Sequence, residues 1–248
     1  MDDTRDSDEG TPAPWTQPRF VFAAVGLGLI AVFGLVLVVT GPSGPAGQEA
    51  RRAPAPAVSP SPAATADVAA SACGLDRGEQ DVPVAAPGDS RWELVGTMAA
   101  PTAPALHGPG SVDDGFRACF AHSPMGALYA AISFWAMSTA KPAADVMERL
   151  TARTAERRRA IRDARAAGDE PELDRTTTLQ IAGFRFVSYD GGGAVIELVV
   201  RVSNGGLASL PTTMRWEDGD WRYVVPLDGD PDVRQVPSLA GYAAWSGA

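Results

Sequence analysis

Residues 20–40 read FVFAAVGLGLIAVFGLVLVVT, 21 positions without a charge, an amide or a proline. At ~1.5 Å per residue a helix of that length reaches about 30 Å, the hydrocarbon thickness of a bilayer. A helix satisfies its own backbone in lipid, and Gly26, Gly28 and Gly34 are tolerated there. A cleaved signal peptide or a buried core helix are the alternatives. The flanks argue against a signal peptide. The first nineteen residues are acidic (Asp2, Asp3, Asp6, Asp8 and Glu9 against Arg5 and Arg19), and no small-x-small site follows at once. The expectation is an uncleaved single-pass anchor with a cytoplasmic N-terminus, although Arg19 on one side and Arg51 and Arg52 on the other discriminate weakly.

The anchor divides the rest. Residues 1–19 show no apolar periodicity and read as a disordered cytoplasmic tail. Residues 41–72 are almost wholly Pro, Ala, Gly, Ser and Thr, and read as an extended stalk spanning up to ~90 Å in polyproline geometry. Residues 73–248 are expected to form an extracellular α+β domain. The whole chain carries −9 and the tail −3, so the remainder carries −6. Bulk charge gives such a surface no attraction for nucleic acid.

Cys73 and Cys119 are the two cysteines. Outside the cell they are candidates for a disulfide. Two buried thiols that never meet remain the alternative. A zinc site with His107 and His122 fits no finger spacing.

Within the domain, residues 92–98 (WELVGTM) alternate as a first strand, and the breaker-rich 99–115 reads as a loop. Ser123 can cap a helix with Pro124 at its first position. The following residues to Met137 are nearly all apolar or small, which predicts burial on most sides. Residues 141–167 read as one amphipathic helix, with Val146, Met147, Leu150, Thr154 and Ile161 on a stripe and Gly168 as its stop. The period then switches to two. Strands over 178–189, 194–203, 207–216 and 221–225 are joined by glycine-rich turns, and the apolar set changes face near Gly183, as at a bulge. Two helices followed by four such strands predict a curved antiparallel meander wrapped on a helix. Residues 237–248 read as a short terminal helix or strand.

Chemistry is sparse. His122 beside Ser123, with Asp113 and Asp114 nearby, is the one pair that resembles a nucleophile and its base, but Ser123 is better explained as a helix cap. There is no GxSxG, phosphate-cradling or HExxH motif. Asp218 and Asp220 fall where turns use aspartate for local hydrogen bonds. No cofactor and no metal is expected. Arg157, Arg158, Arg159 and Arg162, with Arg165, form the densest charge, either a solvated helix face or a surface for an acidic partner or lipid headgroups. Trp92, Trp135, Trp216, Trp221 and Trp245 read as core or sheet-face residues.

The order of tail, anchor, stalk, two helices and meander resembles the bitopic assembly subunits of type IV secretion and conjugation machines. Cys73-Gly74-Leu75, the WELVGT of 92–97 and the RACFAHSPMGAL of 117–128 are similar to stretches of uncharacterised proteins encoded near actinobacterial conjugative elements. The resemblance implies an NTF2-like (cystatin-like) domain. It also implies a non-enzymatic scaffold acting through other protein subunits, homo-oligomeric contacts among them, in a conjugal transfer channel. The alternative is a cell-surface binding module or hydrolase with a pocket between helix and sheet.

Overall fold

The computed structural model describes residues 71–88, 90–168 and 178–247. The expected tail, anchor and most of the stalk lie outside the described residues. Among the described residues, no helix is long and apolar enough to cross a membrane.

The described chain is α+β, with three helices and ten strands. Strands β1 (Arg91–Val95) and β2 (Met98–Thr102) form one hairpin, and β3 (Ser111–Asp113) and β4 (Phe116–Ala118) a second. Helix α1 (Pro124–Ser138) is followed by α2 (Ala143–Leu150) and α3 (Ala155–Ala167). Then come β5 (Leu179–Tyr189), β6 (Gly193–Val202), β7 (Leu207–Glu217) and β8 (Asp220–Tyr223), a consecutive antiparallel meander. Two short strands complete the sheet. β9 (Arg234–Val236) pairs with β7 at Leu207–Ser209, and β10 (Ala243–Ala244) pairs with β5.

Helix α1 is the centre. Ser123 holds an extended conformation and its hydroxyl accepts the Gly126 N–H at 3.1 Å, with Pro124 at the first helical position. The helix touches β2, β4, α2 and strands β6–β8. All but Met125 of its residues are buried, which is why its apolar character has no preferred side. Full burial of a side chain such as Leu128 or Ile132 contributes about 1.5–3 kcal/mol. Against this helix the meander presents Ile196, Leu198, Leu210 and Met214, all buried in the same core.

Two expectations are corrected. The stretch 99–115 is not a loop throughout, since it holds most of β2 and all of β3. Pro101, the one proline of the stretch within a strand, is tolerated because β1–β2 is two-stranded, so β2 needs backbone pairing on one edge alone. Nor are residues 141–167 one helix. At Thr151 the chain turns extended (φ −110°, ψ 151°), and the Ala152 N–H bonds the Tyr223 carbonyl at 2.8 Å. Pairing with β8 thus wins over helix continuation, and the Thr154 hydroxyl starts α3 by accepting the Arg157 N–H. Gly168, at φ 109°, ends it. Register shifts between Ile181 and Gly183 mark the expected bulge, and a second shift lies between Phe186 and Ser188. The last segment supplies a strand, not a helix.

Chain entry is held tightly. Ser71 is buried, the Ala72 N–H bonds the Gly219 carbonyl at 2.8 Å, and Cys73 is disulfide-bonded to Cys119, with Cα atoms 6.0 Å apart.

Candidate functional site

The residues that precede α1 form a polar seam through the core. Asp220, the first residue of β8, is buried, and its carboxylate accepts the N–H groups of Cys119 and Phe120, each at 2.9 Å, and of Trp221 at 3.0 Å. Burial pushes this carboxyl above its ordinary range, against the pull of those donors. Sequence reasoning took Asp220 for a turn residue. A lone buried acid leaves no periodic trace.

Arg117, in β4, is also buried. Its guanidinium donates to Glu93 at 2.7 Å, to the Pro101 carbonyl at 2.6 Å and to the Ser133 hydroxyl at 3.2 Å. Burial lowers its affinity for the proton, and Glu93 opposes that shift. Arg117 ties β1, β2 and α1 together.

His122 lies flat on Trp216, with ring centroids 4.0 Å apart and planes 10° from parallel. Its Nε2 pairs with the Gly191 carbonyl at 2.6 Å. Ser123 points its hydroxyl into the start of α1, so the two neighbours face different jobs. Asp113 and Asp114 lie elsewhere, paired with Arg149 at 3.1 and 4.0 Å. The nucleophile, base and orienter weighed from sequence are therefore not assembled. Among the described residues, no group of His, Cys, Asp or Glu could hold a metal ion.

The arginine cluster divides. Arg157 is half-buried and donates to the carbonyls of Met147 at 3.2 Å and Glu148 at 2.6 Å, closing the end of α2. Arg165 pairs with Glu148. Arg158 and Arg162 donate to carbonyls of their own helix, and both are exposed, as is Arg159. No residue of α3 is buried.

On the other flank of α3 runs an apolar groove of about 470 Å³. Its floor is Phe134, Trp135 and Tyr223, with Phe134 and Tyr223 stacked at 4.0 Å. Met147 and the small side chains of Ala160 and Ala164 wall one side, and the segment after β8 walls the other through Pro226, Gly229 and Pro231. On that segment Leu227 is 84 % exposed. The groove runs between α3 and the segment after β8.

No curated protein and no solved structure matches the chain. Residues 52–244 match the model of a family described as a domain of unknown function (DUF8175), so well over half of the chain is covered. The protein belongs to the DUF8175 family.

Proposed function

We propose that this is a single-pass membrane protein whose exported body works by contact with other proteins, as an assembly subunit of a conjugal transfer or type IV secretion-like channel. In this reading residues 20–40 are the anchor, residues 41–72 hold the body off the membrane, and the body is an NTF2-like domain. A buried helix under a curved antiparallel meander supports that fold assignment. The Cys73–Cys119 bond supports an oxidising compartment. Anchoring confines the body to two dimensions and raises its effective concentration, so modest interfaces suffice.

One observation carries the non-enzymatic reading. Arg117, His122 and Asp220, the buried groups best suited to acid–base work, are each engaged in holding backbone or partner side chains in place. No cofactor and no direct nucleic-acid contact belong to this function. The groove beside α3 favours a second reading, a surface module that binds a small apolar molecule.

Protease added to intact cells expressing the C-terminally tagged full chain tests the topology. Loss of everything beyond residue 40 is expected, and protection of the tag overturns it. Turnover of a substrate by the purified full chain in detergent overturns the scaffold.

A further inference from the structure

We propose that the hollow on the flank of α3 away from the apolar groove binds a doubly charged phosphate group, held by Arg157, Arg158 and Arg162. This site stands apart from the scaffold reading, and its failure leaves that reading untouched.

Five arginines, Arg149, Arg157, Arg158, Arg162 and Arg165, line one shallow hollow of about 540 Å³, and Glu148 is the one acid among its lining residues. Two of the five are already compensated. Arg165 pairs with Glu148, and Arg149 pairs with Asp113 at 3.1 Å while its guanidinium lies over the Phe116 ring. The other three pair with no carboxylate among the described residues. Arg157 donates to the Met147 and Glu148 carbonyls, Arg158 to that of Thr154 and Arg162 to that of Arg158. Neutral carbonyls hold these side chains without cancelling their charge.

The arrangement is costly to the helix. α3 carries five arginines against Glu156 and Asp163, in a chain whose net charge is −9. Arg158 and Arg162 stand one turn apart, where like charges repel. Arg157 and Arg158 lie near the positive end of the helix dipole, which favours anions. No residue of α3 is buried to offset these terms. An anion of more than one charge in the hollow removes the repulsion.

Charge and geometry select phosphate over carboxylate. A carboxylate offers a single charge and two oxygens in one plane. A terminal phosphate offers close to two charges and three oxygens set tetrahedrally, so guanidinium forks reach it from several sides. The uncompensated arginines of this hollow match the second. Arg157 is half-buried and tied down by two carbonyls, so it has little freedom to lose on binding. Arg158 and Arg162 are exposed and can swing onto the ligand.

The test reads hydrogen exchange of the peptide 155–168 in the full chain in non-ionic detergent. Inorganic phosphate is titrated at constant ionic strength in mildly alkaline buffer, where it is a dianion. Saturable slowing is expected, since a helix without buried residues exchanges readily until a ligand ties it down. Malonate, which carries the same charge on carboxylates, should have little effect. Arg158→Gln with Arg162→Gln should weaken phosphate binding about tenfold or more. Arg91→Gln with Arg201→Gln removes the same charge elsewhere and should leave it unchanged. Thiol labelling that finds the Cys73–Cys119 bond intact shows that each variant is folded. A second arm reconstitutes the full chain in phosphatidylcholine bilayers with and without phosphatidic acid, whose headgroup presents the same phosphate. Slowing by phosphatidic acid alone assigns a lipid source and slowing by inorganic phosphate a soluble one, and either supports the site. Equal slowing by malonate, an equal loss from the control pair, or no slowing in either arm overturns the proposal. A phosphate-free acidic peptide that slows exchange where neither phosphate source does also overturns it. So does slowing by phosphate that emerges only after Asp169, Glu170, Glu172 and Asp174 are neutralised, since the chain would then supply its own anion.

Discussion

Asp220 and Cys119 lie 101 positions apart, yet the Asp220 carboxylate accepts the Cys119 N–H at 2.9 Å and, through its other oxygen, the N–H of Phe120. One buried side chain therefore fixes the segment that launches the central helix onto the last long hairpin of the sheet. Asparagine cannot supply two acceptor oxygens, so Asp220→Asn leaves a buried donor unsatisfied. A loss of about 1–3 kcal/mol in urea unfolding is expected near neutral pH, and an unchanged midpoint would remove the role given to this residue.

The same group sets a pH dependence. Burial raises the folded-state pKa of Asp220 above its ordinary value of 3.8, so the folded chain holds that proton more tightly than the unfolded chain. The associated stability is fully present below the unfolded value and is lost as pH rises through the folded one. The penalty of Asp220→Asn should accordingly be largest in acid and shrink toward neutrality. Unfolding curves for both proteins across that range decide it, and a penalty that grows with pH contradicts the direction.

Reduction of the Cys73–Cys119 bond should lower stability markedly. Its closed loop spans 46 positions, for which loop entropy gives about 4 kcal/mol. Cys73→Ser should match the reduced wild type in denaturant unfolding. Equal midpoints with and without reductant would show that the bond contributes nothing.

Gly126→Ala is expected to reverse the usual helix rule. In an open helix the change would stabilise by about 1 kcal/mol. Here a Cβ at position 126 would overlap the carbonyl oxygen of Ala121. A net loss of about 1–3 kcal/mol should follow, and a raised melting temperature would refute the packing described.

His122→Ala separates structure from chemistry. Loss of the stack on Trp216 and of the bond to Gly191 should cost about 1–2 kcal/mol, read from thermal unfolding. The proposed contacts with other proteins, measured by cross-linking, should persist. Their complete loss in a folded variant would give His122 a direct role.

Local signals made much of this fold legible. Ser123 and Pro124 announced the helix start, and the alternation from residue 178 onward announced four strands, because caps and period-two burial are short-range physics. Strands β2, β3 and β4 are illegible because they are three to five residues long and the connections between them are rich in breakers. The break at Thr151 is illegible because its cause, the Tyr223 carbonyl, lies 71 positions beyond Ala152, whose N–H it accepts. For the site, the exposed arginines of α3 could be read directly. Arg157 could not be told from its neighbours, since its capping of α2 depends on the turn between the helices.

The disulfide at the domain's entrance has a mechanical consequence. Tension arriving along the backbone from residue 71 crosses one sulfur–sulfur link and is delivered to residue 119, at the threshold of α1. The hairpins between positions 74 and 118 hang outside that load path, so a tug arriving at residue 71 is shared between the β7–β8 turn, held through Ala72 and Gly219, and the start of the central helix.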